Sequence, residues 1–326
     1  FIHRQLGETF FMDFMGLWTR FLLPLAIHQD RIDVMFFPAE KFDQPKIHSC
    51  PVITVIYDTA YRILPDCYVE RSKAQMEKNV LRALKQSTSI IAISECTKED
   101  IGKHYHYPLE KIHTVYLGGN NDLWKMPSEQ ESDGILKKYG IHPPYLFSVG
   151  VIQPRKNYER LIEAFGLLVR DNELPHQLVI AGKKGWMYER VFERIHALHL
   201  ENRVKWIGYI PDCELPMLMK KADAFIYPSL YEGFGLPVLE AMALDTPVIC
   251  SSTSSLGEIT RGACLYVDPY DIQDIKEKMC ALLKDLPLRN EFIVKGRERA
   301  RFFDWRKTAR QTLEVMASLS KKDGAI

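Results

Sequence analysis

Two glutamates eight positions apart, Glu232 and Glu240, frame the segment whose residue types most clearly predict chemistry. Between them stand two glycines, a phenylalanine, a leucine and a proline, namely Gly233, Phe234, Gly235, Leu236 and Pro237. Glycine lets a bare backbone approach a ligand closely, and proline is typical of the first position of a helix. N–H groups at a helix start attract phosphate, while carboxylates accept hydrogen bonds from sugar hydroxyls. The segment therefore predicts a site for a molecule that carries both phosphate and sugar.

A pair of adjacent cations, Arg155 and Lys156, is the second candidate feature. They follow a predicted strand that ends at Gly150, and they precede a predicted helix that Asn157 would cap. The planar guanidinium of arginine and the compact ammonium of lysine both suit a diphosphate. A solvated basic loop is the alternative interpretation, and the glycine-containing segment described above makes the diphosphate interpretation the stronger one.

Three weaker features follow other predicted strands. Gly182 lies in the turn 182–185, Tyr209 lies in the turn 208–211, and Tyr57-Asp58 ends a strand in the first half of the chain. We expect Gly182 to line the site and backbone groups around Tyr209 to contact a nucleobase. Tyr57 and Asp58 would face the site from the opposite side. A simple structural turn is an alternative interpretation of each feature.

From residue 145 onward, short apolar runs alternate with amphipathic stretches, which predicts strands that alternate with helices. The predicted strands are 145–151, 177–181, 204–207, 224–227, 247–250 and 264–267, and the predicted helices are 158–170, 188–199, 214–221, 237–243 and 256–260. Such alternation indicates a parallel sheet with helices on both faces, whose ligands lie beyond the carboxyl ends of the strands. The sheet would therefore bring the candidate residues to one edge.

The first part of the chain shows the same pattern less regularly, with predicted strands at 34–37, 52–57, 90–93 and 112–116 and a helix at 69–86. Residues 119–140 are polar and contain Pro127 and Gly134, which is typical of a linker. We predict an α/β protein of two Rossmann-like domains, 1–140 and 141–303, that face each other across a cleft. Because no opening strand with a glycine-rich turn is visible and the sequence starts at Phe1, we expect the first domain to be incomplete.

Composition argues against several classes of function. The 326 residues carry a net charge of +1, which argues against a dedicated nucleic-acid binder. The seven cysteines are scattered without zinc-binding spacing, as expected of reduced thiols in a cytoplasmic protein. The sequence has no apolar run long enough for a membrane span, no Asp-x-Asp pair and no Gly-x-x-x-x-Gly-Lys-Ser/Thr motif. We expect no metal and no bound cofactor.

Together these motifs resemble those of the family 4 retaining glycosyltransferases, which have the GT-B fold. The resemblance lies in Glu-x7-Glu around Gly-Phe-Gly-Leu-Pro, and in Val-Gly…Pro-Arg-Lys-Asn about eighty residues earlier. It is strongest over residues 145–270 and extends to 52–118. Phe303-Asp304-Trp305 resembles the point at which the family's chain crosses back, which implies that a helix over 304–326 packs on the first domain.

The resemblance implies a role for each matching residue. Glu240 would bind the ribose hydroxyls of a nucleotide, and Glu232 would hold hydroxyls of the donor sugar. Arg155 and Lys156 would neutralise the diphosphate. The backbone N–H groups that would contact sugar and phosphate belong to four residues: Gly233, Phe234, Gly235 and Leu236.

The implied activity is retaining, metal-independent transfer of a hexose from a nucleoside diphosphate sugar to a glycan or lipid-linked acceptor in polysaccharide assembly. As the donor, GDP-mannose is slightly favoured over UDP-glucose, because the segment 154–157 resembles that of bacterial mannosyl- and glucosyltransferases. A peripheral contact with the inner face of a membrane is a further expectation. The apolar segment 6–27 and the basic helix 69–86 could provide it, with burial of the first and solvation of the second as the alternatives.

The chain departs from the family pattern in two places. Tyr57 precedes Asp58 where the family usually has a histidine, and the opening glycine-rich turn is missing. These departures favour a second hypothesis, a subunit of the same fold that binds nucleotide but is catalytically silent or needs a partner. A sugar-nucleotide epimerase or phosphorylase is a third hypothesis, for which the sequence offers no clear acid/base residue.

Overall fold

The computed structural model describes residues 22–41, 50–119, 128–171 and 174–320, and these ranges contain two parallel β-sheets. In the first sheet, β1 (Met35–Phe37), β2 (Val52–Ile56), β3 (Ser89–Ala92) and β4 (Ile112–Thr114) lie in the order β1-β2-β3-β4. The second sheet consists of β5 (Tyr145–Val149), β6 (Gln177–Ala181), β7 (Val204–Trp206), β8 (Ala224–Tyr227), β9 (Val248–Ser251) and β10 (Leu265–Val267). Its strand order is β10-β9-β8-β5-β6-β7.

Helices accompany both sheets. Those in the first part of the chain are α1 (Leu23–Gln29), α2 (Ala60–Ile63), α3 (Glu70–Gln86) and α4 (Glu95–Tyr105). Helix α5 (Glu129–Tyr139) precedes the second sheet. The helices that follow are α6 (Tyr158–Arg170), α7 (Glu189–Ala197), α8 (Leu215–Lys220), α9 (Leu236–Ala243), α10 (Ser255–Thr260), α11 (Ile272–Lys284), α12 (Leu286–Ala300) and α13 (Trp305–Ser320).

The predicted α/β fold is confirmed, and among the described residues the first sheet has four strands and the second has six. Every residue of β2 is buried, and so are the first four residues of β5. Short continuous apolar runs are typical of strands that are covered on both faces, which is why these strands could be found from the sequence.

Alternate residues of β6 show how the second sheet separates two apolar cores. Leu178 and Ile180 lie in the core that α6 and α11 cover. Val179 and Ala181 lie in the core on the opposite face, with α8 and α9. Because successive side chains of a strand point to opposite faces, one short apolar segment contributes to both cores.

The predicted linker over 119–140 is wrong for its second half, where residues 129–139 form α5. The hydroxyl of Ser128 accepts from the N–H of Glu131, and the Glu131 carboxylate accepts from the N–H of Ser128 at 2.8 Å. This reciprocal capping box starts a helix with polar residues, and Leu136 is its buried apolar anchor. Gly134 lies inside the helix, where a Cβ would meet nothing within 4 Å.

The carboxyl edges of the two sheets face each other. Tyr57 and Asp58 follow β2, and a Cβ on Gly233 would lie only 2.3 Å from the Tyr57 carbonyl oxygen. The hydroxyl of Ser94, which precedes α4, donates to the Gly233 carbonyl at 2.8 Å. A side chain at position 233 would therefore push the two sheets apart.

After α12 the chain returns to the first sheet. The N–H of Gly119 donates to the Phe303 carbonyl at 3.1 Å, and the Thr308 hydroxyl of α13 donates to the Tyr116 carbonyl at 2.7 Å. A Cβ on Gly118 would lie 2.3 Å from the backbone nitrogen of Trp305. Helix α13 thus begins in close contact with the segment that follows β4.

The apolar segment 6–27 falls largely outside the described residues, which begin at Leu22. The part inside them is Leu22, which is exposed, and most of α1, where Ile27 is buried and Leu25 is exposed. Within the described ranges, no helix combines the length and the apolar character that a membrane span needs.

Candidate active site

A buried carboxylate held between two cations forms the centre of the candidate site. The carboxylate of Glu232 lies 2.8 Å from a guanidinium nitrogen of Arg155 and 2.7 Å from the ammonium of Lys156. Each of the three side chains is about nine-tenths buried. The structure therefore brings Glu232 into contact with two cations that lie almost eighty positions earlier in the sequence.

The protonation states of this cluster follow from its geometry. Burial alone would raise the pKa of Glu232, but Lys156 and Arg155 outweigh burial and lower it to about 2. Burial would lower the pKa of Arg155, and the neighbouring carboxylate raises it instead. Burial lowers the pKa of Lys156 despite the attraction of Glu232. At neutral pH Glu232 is thus ionised, and Arg155 carries its charge.

Two tyrosines that the sequence analysis missed complete this cluster. The Lys156 ammonium donates to the Tyr227 hydroxyl and lies 4.6 Å from the centroid of the same ring. The Arg155 guanidinium donates to the Tyr231 carbonyl. Tyr227 ends β8 and Tyr231 immediately precedes Glu232, so the position of both after a buried strand was the available signal.

The cations are positioned by a one-turn 3-10 helix, Pro154–Lys156, that follows β5. Asn157 then adopts the left-handed conformation with φ of 61°, which asparagine tolerates better than most residues. Its side chain does not cap α6 as predicted, and its carbonyl oxygen accepts instead from the guanidinium of Arg160 at 3.0 Å. Its amide nitrogen donates to the carbonyls of Pro228 (3.0 Å) and Pro269 (2.6 Å). Asn157 therefore ties the cation loop to the loops that follow β8 and β10.

Two of the predicted glycines pack against each other where neighbouring strands end. A Cβ on Gly182 would lie 1.9 Å from the Gly150 carbonyl oxygen, and the φ of Gly182 is 135°. A Cβ on Gly150 would approach the Lys156 side chain to 3.2 Å. Only a residue without a side chain fits at position 182, so this glycine sets the distance between the β5 and β6 loops.

The predicted glycine cradle leads into α9. Gly235 has φ of 102° and precedes the helix, Leu236 is its first residue, and Pro237 is its second residue rather than the predicted first. The first N–H groups of a helix have no partner within it, so this junction can donate to an anion. Glu240 lies in the next turn of α9 and is buried.

Phe234 occupies a different environment from its glycine neighbours. Its side chain is buried, with its ring centroid 5.7 Å from that of Phe303 and 6.3 Å from that of Tyr116. The ring therefore packs between the two sheets, and only the backbone of Phe234 is left to contact a ligand.

Two further candidates, Tyr209 and Tyr57, are partly open to solvent. Tyr209 follows β7, is 59% exposed, and has the ammonium of Lys183 4.8 Å from its ring centroid. Tyr57 is 41% exposed, while Asp58 accepts a hydrogen bond from the N–H of Ala60 at 3.0 Å and so starts α2. Both tyrosines lie beyond the carboxyl ends of their strands, where ligands of such sheets bind.

A cavity of about 810 Å³ lies away from these residues, between α6, α7 and the loop before α11. Leu167, Leu198 and Tyr270 are among the side chains that line it, and none of the predicted site residues does so. Size alone would favour this cavity as a ligand site, but the concentration of buried charge favours the carboxyl edge of the second sheet. Among the described residues, no group of three or more His, Cys, Asp and Glu side chains is placed to hold a metal.

Comparison with known proteins adds a family match. Residues 132–299 match the family model described as "Glycosyl transferases group 1". O-antigen chain mannosyltransferase B of Escherichia coli is 31% identical over 264 residues, which cover 81% of this chain and 69% of that protein. Serotype-specific mannosyltransferase WbdA of Escherichia coli is 27% identical over 244 residues, or 74% of this chain and 30% of that protein. The chain thus spans less than a third of the length of WbdA.

Solved structures share the fold. The crystal structure of Anabaena HepE in complex with UDP-glucose superposes with a TM-score of 0.71 at 21% identity, over 83% of this chain and 73% of that one. The crystal structure of a glycosyltransferase from Rickettsia africae gives a TM-score of 0.74 at 17% identity, over 98% of this chain and 86% of that one. At these identities the likeness establishes the fold alone.

Proposed function

The chain belongs to the group 1 family of glycosyl transferases, and from this premise we propose that it transfers a hexose from a nucleoside diphosphate sugar. The acceptor is a glycan or a lipid-linked glycan in polysaccharide assembly, and the anomeric configuration is retained. No metal is needed, because fixed side chains of the protein meet the charge of the leaving diphosphate.

The cluster of Glu232, Arg155 and Lys156 is the observation that carries this proposal. The N–H groups of Arg155 and Lys156 gather around one carboxylate in the loop that leads into α9, whose N-terminus attracts phosphate as well. The ionised Glu232 can accept hydrogen bonds from sugar hydroxyls while it orients both cations. This combination suits a ligand in which a diphosphate and a sugar are adjacent.

In the proposed reaction, Arg155 and Lys156 would stabilise the leaving group. Breaking the anomeric C–O bond leaves positive charge on the sugar ring and negative charge on the departing nucleoside diphosphate. Arg155 and Lys156 are held rigidly by buried partners, so they can stabilise the departing charge without rearranging. By analogy with an oxyanion-hole donor, one such group contributes about 3 kcal/mol to the transition state. The acceptor would attack on the face that the diphosphate leaves, with a leaving phosphate oxygen as the base.

Mannose is the hexose we propose first. Two of the relatives described above are named as mannosyltransferases, whereas the HepE structure contains UDP-glucose. We therefore propose GDP-mannose as the donor and keep UDP-glucose as the second choice.

Turnover of a sugar-nucleotide panel tests the proposal. The protein is incubated with GDP-mannose or UDP-glucose, with and without a lipid-linked glycan acceptor, and release of the nucleoside diphosphate is followed. Arg155→Ala and Glu232→Ala should each lower the rate at least a hundredfold, while Arg170→Ala on the exposed end of α6 should not. Unchanged transfer in both folded site variants would refute the assignment. Nucleotide binding without turnover by the wild type would instead support the catalytically silent subunit.

Contact with a membrane surface is a separate proposal, supported by α3. Arg71, Lys78 and Lys85 are exposed on this helix, and the apolar side chain of Leu81 is exposed among them. Clustered cations bind anionic headgroups at about 1 kcal/mol each. Reversing the three charges should release the protein from vesicles of anionic lipid and leave the thermal midpoint unchanged. Equal sedimentation of wild type and variant would refute this contact.

A further inference from the structure

One contact between the two sheets has no role in the site described so far. Tyr68 follows a one-turn 3-10 helix, Pro65–Cys67, in the first domain, and Trp186 lies in the loop between β6 and α7. The indole N–H of Trp186 donates to the Cys67 carbonyl at 2.6 Å. The ring centroids of Tyr68 and Trp186 lie 5.5 Å apart with 36° between their planes. A loop from each domain thus meets its counterpart across the cleft.

The Tyr68 ring is held from both sides. On the side of its own domain it packs against the core of the first sheet, and its centroid lies 6.4 Å from that of Tyr61 in an edge-to-face arrangement. Trp186 covers it from the second domain. Aromatic contacts of this kind fix a ring orientation, because offset and edge-to-face pairs are the favoured geometries.

The Tyr68 ring lies beside the loop that carries the cations of the candidate site. Trp186, which it contacts, follows Gly185, whose N–H donates to the carbonyl of Ile152 at 3.0 Å, three residues before Arg155. Burial raises the pKa of the Tyr68 hydroxyl, and the charged groups that act on it are Arg155, which opposes the rise, and the carboxylates of Asp58 and Glu232, which add to it. The phenol therefore stays protonated at neutral pH and can donate a hydrogen bond. Asp58 belongs to the first domain and the other two groups to the second, so Tyr68 lies between the two halves of the site.

The charges of Arg155, Asp58 and Glu232 determine which kind of ligand group can bind next to Tyr68. A phosphate next to two carboxylates would be repelled, whereas the hydroxyls of a neutral hexose can donate to the carboxylates and accept from a guanidinium or phenol. The diphosphate is better placed at the cations and at the N-terminus of α9. The sugar of such a ligand would then lie on the side of Tyr68.

We propose that the hydroxyl of Tyr68 donates a hydrogen bond to the hexose of the bound sugar nucleotide, and that Trp186 is a positioning residue that holds the ring for this contact. The inference rests on the proposed function, since it names the residue that contacts the sugar in that same site. Trp186 touches no ligand and acts through Tyr68.

Binding of matched ligand pairs tests this inference without any need for turnover. Calorimetry compares GDP with GDP-mannose, and UDP with UDP-glucose, on the wild type and on Tyr68→Phe. The variant should bind the plain nucleoside diphosphate as the wild type does, within twofold. It should bind the sugar nucleotide about fivefold more weakly, because it lacks one hydrogen bond to the sugar.

Two further variants separate a sugar contact from a general structural effect. Trp186→Phe removes the indole donor and should weaken sugar-nucleotide binding in the wild type but add nothing in the Tyr68→Phe background. Tyr107→Phe is the matched control, because Tyr107 is a half-buried tyrosine of the same apolar core whose pKa is raised by burial alone. It should leave both affinities unchanged.

The possible results divide clearly. Equal weakening of both ligands by Tyr68→Phe, or no weakening of either, overturns the sugar contact while the proposed function stands. A wild type that binds neither GDP nor UDP overturns the proposed function, and the inference fails with it. Additive effects of Tyr68→Phe and Trp186→Phe overturn the positioning role of Trp186 alone.

Discussion

At the scale of single residues, Glu232 determines the character of the site. A carboxylate that is almost completely buried stays ionised because two cations lie within 2.8 Å of it. The same contacts give two buried cations a counter-charge in the loop that leads into α9 when no diphosphate is bound. Glu232 therefore has a structural task as well as the proposed contact with the sugar.

The low pKa of Glu232 predicts how stability depends on pH. Because the folded state lowers this pKa from 4.5 to about 2, its contribution is complete above pH 4.5 and is lost as the pH falls toward 2. The shift corresponds to about 3 kcal/mol. Glu232→Gln should lower the free energy of unfolding in urea by about that amount at pH 7, and the difference from wild type should narrow below pH 4.5.

The exposed pair of Glu291 and Lys295 on α12 supplies the control for this measurement. Glu291→Gln should change the free energy of unfolding little at pH 7 and at pH 3, because surface ion pairs contribute little. A Glu232→Gln difference that stays constant from pH 7 to pH 3 would contradict the buried ion cluster.

Gly182 offers a second prediction at this scale. A Cβ there would clash with the Gly150 carbonyl oxygen, and the positive φ is unfavourable for alanine. Gly182→Ala should lower the free energy of unfolding by about 2 kcal/mol or more, measured by urea denaturation. Gly134→Ala, inside α5 with no neighbour within 4 Å, should instead raise it by about 0.5–1 kcal/mol. Equal effects of the two substitutions would show that the β5 and β6 loops do not approach as described.

At the scale of elements, the sequence predicted most of the second sheet and less of what surrounds it. Strands such as β6 and β8 were found because a short continuous apolar run between polar segments is typical of a strand in a parallel sheet. Helix α5 was missed because its polar N-terminal residues look like a linker until the pairing of Ser128 with Glu131 is recognised as a capping box. Asn157 was misinterpreted because its type suits a helix cap, while tertiary contacts with two proline carbonyls determine its conformation.

The candidate site, too, could be predicted only in part from the sequence. The types and spacing of Arg155, Lys156 and Glu232 predicted that they would meet, since all three follow strands of one sheet. Their direct ion pairs with one another were not predicted, and neither were the contacts with Tyr227 and Tyr231. Such contacts depend on distances between loops, which a one-dimensional pattern does not contain.

The capping box of α5 gives a prediction at the element scale. Ser128→Ala removes the hydroxyl that accepts from the Glu131 N–H, so it should lower the free energy of unfolding by about 1 kcal/mol. Urea denaturation measures the change. Ser128→Asp keeps an acceptor at the cap and should restore most of the lost stability. If alanine and aspartate behave alike, the start of α5 does not depend on this cap.

At the scale of the whole molecule, two sheets meet edge to edge and share one cleft. The Glu258 carboxylate at α10 accepts from the N–H groups of Glu95 (2.8 Å) and Cys96 (3.1 Å) at the start of α4. The hydroxyl of Tyr231 donates to Asp100 of the same helix at 2.5 Å. These contacts hold the first domain against the Glu232 loop, where a Cβ on Gly233 would lie 2.8 Å from the Cβ of Asp58.

Calorimetric titration with GDP and UDP tests the central claim most directly, since the claim is that Arg155 and Lys156 bind a diphosphate at the edge of the second sheet. One of the two nucleotides should bind the wild type at one site per chain. Arg155→Lys keeps the charge but loses the planar fork and should bind about tenfold more weakly; Arg155→Ala should lose about a hundredfold, and Arg170→Ala nothing. A folded Arg155→Ala protein that binds the nucleotide as tightly as the wild type, or a wild type that binds neither nucleotide, would contradict this claim.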